Sequence, residues 1–396
     1  LRIDDVDWRN GKVFSLAYYA GPQAIAVAED AYRRFSGENA LSTDAFPSLR
    51  IMQQDVLSMV GPWLGADEDS AGFMTSGGTE SILMVVKAAR DQFAQTKAVT
   101  TPNIVLPTSA HAAFEKACHY FGVESRRASV GADWRADLAS IEGLIDDNTI
   151  LLVASAPQYP QGVIDDVTGI AALASANGIN CHVDACMGGV TLAYLEKLGL
   201  PIPAWNLRVP GVTSISVDLH KYGYTSKGAS VVMYSSKSLR AHQGFFTDNW
   251  LGGMYASSGM LGTKSGGSIA SAWAVLRHLG DDGYTELTQR ARTATVQLAE
   301  HIVAHKHLVL RAYPESTLIC FGATDPSQLN VFAVADQLRT RGWYVDRQLP
   351  PESLHCTVNA IHHDKMDAFI AALDESVNAV LATRLSGEVG SYGTLE

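Results

Sequence analysis

Apolar positions along this chain fall into two kinds of run, and their alternation predicts the fold. Helical spacing recurs from Gln23 to Phe35 and from Ser48 to Val60, where Gly61-Pro62 stops it. A Gly-rich turn, Ser76-Gly77-Gly78-Thr79, opens an apolar helical run from Glu80 to Phe93. Asn103 to Pro107 reads as a short strand, followed by a helix around Ala112 to Phe121. Thr149 to Ala154 is a continuous apolar run of buried-strand length. A helix from Thr168 to Asn177 then leads to strands at Asn180 to Val183, Thr213 to Val217 and Ala229 to Tyr234. Strands apolar on both faces and separated by helices predict an α/β fold, a mostly parallel sheet sandwiched by helices. Past Gly267 the text changes. Helices at Ser268 to Leu279 and Tyr284 to His305 precede a strand near Thr317 to Phe321, a helix from Val331 to Arg341, a strand near Leu354 to Asn359 and a helix from Lys365 to Leu381. This reads as a smaller C-terminal α+β domain. The expected division is an N-terminal segment 1–60, a large domain 61–280 and a small domain 281–396.

Composition narrows the function. With 47% hydrophobic and 18% charged residues, the chain of 396 residues is no disordered protein. Its net charge of −11 disfavours nucleic acid and anionic membranes as general partners, because phosphate recognition needs a basic footprint. The five cysteines are odd in number and irregularly spaced, and Cys181 and Cys186 form no zinc pattern. Reduced core thiols, a cytoplasmic location and no metal site are the expectation. No apolar run reaches the 18 residues of a spanning helix. The chain opens at Leu1 rather than Met, so the reading leaves room for a preceding membrane anchor.

Four elements carry candidate chemistry. Ser76-Gly77-Gly78-Thr79-Glu80 stands at a helix start, where backbone N–H groups and the helix dipole suit an anion. Asp184 ends a predicted strand, the edge at which parallel sheets bind ligands. Lys221 follows another strand, and His111 a third. Each alone has a plainer reading: a helix cap, a loop-capping Asp, a solvated Lys, a structural His. In this order they are the set that binds pyridoxal phosphate. The cradle would hold the phosphate, Asp184 would pair with the pyridine nitrogen, Lys221 would form the Schiff base and His111 would stack on the ring.

Longer stretches carry a resemblance. Asp44 to Arg50 (DAFPSLR), Thr75 to Met84 (TSGGTESILM), Ser109 to Phe114 (SAHAAF), Ala156 to Asp165 (APQYPQGVID), His182 to Gly189 (HVDACMGG), Gly211 to Gly228 (GVTSISVDLHKYGYTSKG) and Gly252 to Gly267 are similar to sphingosine-1-phosphate lyases. These belong to the group II decarboxylase branch of fold-type I pyridoxal-phosphate enzymes. The resemblance runs from about residue 15 to near the C-terminus. It implies a homodimer with active sites at the interface, to which the segment 1–60 contributes. Gly77, Gly78, Thr79 and His220 would bind the cofactor phosphate, with the loop from Gly262 to Gly267 added by the partner subunit. Cys186 would pack under the ring, and Tyr159, a water or a phosphate oxygen would serve in proton transfer. Tyr19, Asn39, Ser42 and Lys227 would line the substrate, with Lys227 as the cation for its phosphate. Asn39-Ala40-Leu41-Ser42 stands where the family usually reads Asn-Pro-Leu-His, so Ser42 offers a neutral donor in place of an imidazole. Lys264-Ser265 stands where Arg-Pro is common. The implied reaction is retro-aldol cleavage of sphingosine 1-phosphate, or a similar phosphorylated long-chain base, to a fatty aldehyde and phosphoethanolamine. An amino-acid decarboxylase shares the cofactor site and is the alternative. A silent binding protein that kept the fold would be expected to have lost Lys221 or Asp184, and both are intact. The apolar group Phe245, Phe246, Trp250, Met254 and Tyr255 suits either an entrance for a long aliphatic substrate or a dimer interface, and transient membrane contact would need an apolar rim or a preceding anchor.

Overall fold

In the computed structural model, residues 1–3 and 5–390 are described, so the last six positions of the expected 281–396 domain lie outside the described residues. The large sheet has seven strands: β1 (Ala71–Thr75), β2 (Asn103–Pro107), β3 (Glu124–Ala128), β4 (Thr149–Ser155), β5 (Asn180–Asp184), β6 (Ser214–Val217) and β7 (Ser230–Tyr234). Their order is β1-β7-β6-β5-β4-β2-β3. Strand β7 runs antiparallel to both neighbours, and the remaining pairs are parallel. Strand β1 therefore points the same way as β6, and the carboxyl ends of β1, β2, β4, β5 and β6 share one edge. β2, β4, β6 and β7 are buried along their whole length, which is why β2, β4 and β7 carry apolar runs, while β6 buries Ser214 and Ser216 as well. The helix Gly78–Thr96 crosses one face, sealed by Ile82, Leu83, Val86 and Phe93.

Two strands of this sheet were not legible. Strand β1 (AGFMT) is small and mixed, and β3 (ESRRA) is a charged edge strand, the kind that blunts unwanted pairing. A hairpin of β8 (Phe245–Thr247) and β9 (Tyr255–Ser257) projects Phe245, Phe246 and Trp250 to the surface.

The helix Gly267–Ala304 links the two sheets. It breaks at Gly280, whose φ of 55° and ψ of −169° lie outside helical space, and this divides it into the two helices expected from the sequence. Beyond it, β10 (Leu308–Leu310), β11 (Leu318–Ala323), β12 (Asp346–Gln348) and β13 (Ser353–Thr357) form an antiparallel sheet in the order β10-β11-β13-β12. Its core includes Phe321, Phe332, Leu354, Phe369 and Leu373, and also Phe14 from the far end of the chain. The Phe14 ring stacks 4.0 Å from His362 and lies 4.2 Å from Phe369. Phe14 N–H donates to Tyr344 O at 2.9 Å, and Thr357 N–H donates to Phe14 O at 2.7 Å. The segment 1–60 is thus shared: residues 13–15 extend the small domain, while the helix Pro22–Arg34 packs on Gly267–Ala304.

Phe14→Ala should destabilise the protein by about 3–5 kcal/mol, the usual loss for a buried aromatic. Denaturant unfolding followed by fluorescence would measure it, and a loss below about 1 kcal/mol would remove Phe14 from the small-domain core.

Candidate active site

A cavity of about 450 Å³ opens at the shared carboxyl edge of the large sheet. Each strand contributes through the turn that leaves it. From β1 come Ser76 to Glu80, from β2 His111, from β4 Ser155, Pro157 and Tyr159, from β5 Asp184 and Cys186, and from β6 Asp218, His220 and Lys221. Lys227 and Gly228 enter just before β7.

Lys221 sits in a tight turn. A side chain at Gly223 would come within 2.4 Å of Leu219 O, so the chain can fold back only with glycine there. Tyr284 Oη donates to Gly223 O at 2.8 Å, and Tyr222 Oη donates to Val358 O at 2.9 Å. The turn is thereby tied to the long helix and the small domain. Lys221 Nζ lies 2.9 Å from Asp218 Oδ2. Ser230 Oγ donates to the other oxygen at 2.5 Å. Burial pushes the Asp218 carboxyl up, but Lys221, His220 and Ser230 outweigh it and hold the group below the usual carboxylate range.

Asp184 is nearly buried, and its Oδ1 accepts the Cys186 N–H at 3.0 Å. Beneath it runs a polar network. Ser216 Oγ lies 3.5 Å from Asp184 Oδ1 and 3.2 Å from His182 Nε2, and Cys186 Sγ donates to it at 3.3 Å. Burial drives the Cys186 thiol well above its ordinary range, so it stays a thiol. His111 Nδ1 accepts the Ala113 N–H at 3.0 Å, which leaves the ring proton on Nε2. Burial lowers its affinity for a second proton, so the imidazole is neutral at pH 7. Arg127 holds the loop that carries it, donating to Pro107 O at 3.0 Å and Ala110 O at 3.1 Å.

Lys227 is the softer cation. Burial and the neighbouring Lys221 bring its pKa down to about 8. Its Nζ donates to His220 O at 3.2 Å and stands 5.1 Å from the centre of the Tyr18 ring.

The remaining expected residues sit elsewhere within one chain. Gly262 lines a second cavity of about 350 Å³, with Thr43, Arg50 and Lys264. Asn39 Oδ1 accepts the Leu41 N–H at 3.0 Å, and Ser42 Oγ accepts the Ala45 N–H at 3.5 Å. The Tyr19 ring packs edge-on against Trp8, 6.1 Å away. None of these four lines the Lys221 cavity.

Residues 6–324 match the model of the pyridoxal-dependent decarboxylase conserved domain. Sphingosine-1-phosphate lyase of Oryza sativa is 38% identical over 390 residues, covering 96% of this chain and 72% of the relative. The chain belongs to the sphingosine-1-phosphate lyase family, within the pyridoxal-dependent decarboxylases. Sphingosine-1-phosphate lyase 1 of Rattus norvegicus is 39% identical over 95% of this chain, which spans 66% of that relative's length. The solved sphingosine-1-phosphate lyase of Burkholderia pseudomallei superposes with a TM-score of 0.90 at 33% identity, covering 95% of this chain and 88% of that one.

Membership in this family brings pyridoxal phosphate as cofactor, and the cavity fits it. Its volume lies within the range of about 300–1,000 Å³ usual for small-molecule sites. Ser155 Oγ is buried there with no hydrogen-bond partner among the described residues, a polar atom waiting for a ligand. A Cβ at Gly78 would come within 2.7 Å of Cys186 Sγ and 2.9 Å of Asp218 Oδ2, so only glycine lets the cradle close on this floor. Reading the family from sequence missed the supports: Asp218, Ser230, Ser155, Arg127 and Glu80. Asp218 alone had a local signal, three residues before the lysine. Glu80 accepts the N–H of Ser76 at 2.6 Å and of Met260 at 2.8 Å, which ties the cradle to the loop leading to Gly262.

Gly78→Ala should weaken pyridoxal phosphate binding at least tenfold with the fold intact. Absorbance titration of the apoprotein measures this, and unchanged affinity would show that the floor yields.

Proposed function

We propose that this chain is a pyridoxal-phosphate-dependent carbon–carbon lyase that cleaves sphingosine 1-phosphate, or a similar phosphorylated long-chain base, to a fatty aldehyde and phosphoethanolamine. The observation that carries the reading is the family-wide identity, 38% over 96% of the chain, falling on a cavity that gathers Lys221, Asp184 and His111. The same identity favours the lyase over the amino-acid decarboxylase alternative.

When bound, pyridoxal phosphate supplies an electron sink for the pair left when a bond to the amine-bearing carbon breaks. The chain's residues do the rest. Gly77, Gly78 and Thr79 turn helix-start N–H groups toward the cofactor phosphate. Asp184 keeps a proton on the ring nitrogen, and its own orientation is fixed by the Cys186 N–H. Lys221 would hold the cofactor through its amine, and Asp218, 2.9 Å away, would keep that amine in place. His111, a neutral imidazole, covers one face of the ring and Cys186 the other. Lys227 offers its charge to the substrate phosphate, and Tyr159 moves a proton. Tyr19, Asn39, Ser42 and Gly262 act across a homodimer interface, a reading supported by their not lining the chain's own Lys221 cavity. The β8–β9 hairpin, with its exposed Phe246 and Trp250, suits that interface. Among the described residues no helix is long and apolar enough to cross a membrane, and the five cysteines are free, which supports a cytoplasmic setting.

Holoenzyme given sphingosine 1-phosphate should release fatty aldehyde, and Lys221→Ala should release none. Aldehyde-free wild type with a normal cofactor spectrum would sink the substrate assignment. Asp184→Ala should keep the cofactor and lose at least 100-fold in kcat, and full activity would remove its role at the ring nitrogen. Lys227 is an ammonium below about pH 8 and neutral above it. KM should therefore rise as pH climbs through that value in the wild type but not in Lys227→Arg. A flat wild-type KM would take Lys227 off the substrate phosphate.

A further inference from the structure

Tyr159 stands in the wall between the Lys221 cavity and a larger one of about 950 Å³ that opens toward the small domain. Its hydroxyl is turned to the far side. Tyr159 Oη donates to Asp346 Oδ2 at 2.6 Å, across 187 positions of sequence. Ser15 Oγ donates to that same oxygen. Asp346 opens β12, and the pairing of Val13 with Tyr344 brings Ser15 beside it. A carboxylate oxygen that receives two hydroxyl protons is in the form that can accept one more.

We propose that Asp346 is the positioning residue and proton acceptor behind Tyr159, so that the pair relays the substrate hydroxyl proton during cleavage. This rests on the lyase reading above. A phenol has one proton, and here it is committed to Asp346. An oxygen that donates its proton to Asp346 would meet a substrate hydroxyl as an acceptor. As the carbon–carbon bond breaks, the substrate O–H proton passes to Tyr159 and the Tyr159 proton to Asp346. The hydroxyl carbon becomes the aldehyde carbonyl. The proton returns by the same route to the amine-bearing carbon, which holds the electron pair of the broken bond. No other reactant is needed, and Asp346 ends as it began.

The surroundings suit a carboxyl that gains and loses a proton. Burial raises its pKa, and the Ser15 and Tyr159 donors pull it back. The titratable and charged groups around it are Tyr344, two residues before it, His355 and Cys356 of the neighbouring β13, and Arg339 and Glu388, which line the same cavity. Burial brings His355 down to about 3, so it stays neutral, and its ring stacks 4.2 Å from that of Tyr159. Burial keeps the Cys356 thiol protonated. The adjacent Arg347 is engaged with Asp336 on the helix Val331–Thr340. No cation therefore neutralises Asp346 among the described ion pairs. A purely structural role, stitching three segments together, is the competing explanation, and it makes different predictions.

The test compares wild-type, Tyr159→Phe and Asp346→Asn holoenzymes. An infrared pH titration follows the carbonyl stretch of the protonated carboxyl group, identified by its loss in Asp346→Asn. Removing the Tyr159 donor should move its midpoint to higher pH. In turnover, both variants should lose on the order of 10²–10⁴-fold in kcat, the usual worth of general acid–base catalysis. KM and cofactor affinity should stay within about threefold, and the double variant should be no slower than either single one. The wild-type kcat should fall as acid protonates Asp346, and that acid limb should vanish in Asp346→Asn. An unmoved infrared midpoint in Tyr159→Phe overturns the coupling. A kcat within about threefold of wild type in Asp346→Asn overturns the relay and leaves the structural role. Should Asp346→Asn fail to fold, Asp346→Ser takes its place in the band assignment and in turnover, and Tyr159→Phe against wild type still gives the kcat and KM. Absence of aldehyde from wild type defeats the lyase reading instead, and the infrared midpoint then decides on the pair by itself.

Discussion

Lys221 and Asp218 face each other at 2.9 Å where little water reaches, and much of the chain is arranged to make that possible. Taking two charges out of water is costly, and only close pairing and further hydrogen bonds offset it. Ser230 from the neighbouring strand supplies one of those bonds. The tight turn at Gly223 supplies the angle, and the cradle glycine Gly78 leaves room for the carboxylate. Tyr222 and Tyr284 fasten the turn to the small domain and to the long helix. Removing either partner would leave the other buried and uncompensated, so the pair constrains β6, β7 and the helix start after β1 together.

Around that pair, geometry converts a sheet into a reaction site. The antiparallel β7 returns the chain to the edge where β1, β2, β4, β5 and β6 end, so turns far apart in sequence open into one cavity. The small domain is not a bystander. Asp346 reaches back to Tyr159, and the turn holding Lys221 is bonded to Val358 beyond β13. The chemistry therefore depends on how the two sheets sit against each other, and the broken helix at Gly280 is the element that spans them.

Much of this was legible from residues alone where burial is two-sided. Ile150 to Ala154 is apolar throughout because both faces of β4 are covered. The polar edge strands β3 and β12, and the mixed β1, carry no such signal, since their pairing is dictated by neighbours rather than by their own pattern. The residues proposed to hold the cofactor were legible through motifs, because a phosphate cradle, a strand-end acid and a lysine each need a particular residue type. Their supports were not. Ser155 and Arg127 act through contacts that any polar side chain could make elsewhere, and Asp346 meets Tyr159 only after both domains have formed. A carboxylate 187 positions away leaves no trace in local pattern.

The placement of Phe14 and Ser15 bears on how the chain is born. These residues leave the ribosome long before their partners Tyr344, Asp346, His362 and Phe369 are made. Contacts between such distant segments form slowly, because the loop between them must close before any contact rewards it. The large sheet can assemble during synthesis, but the wall that carries Tyr159 waits for those late partners. Until then an apolar N-terminal stretch is uncovered, and it needs shielding from neighbouring nascent chains.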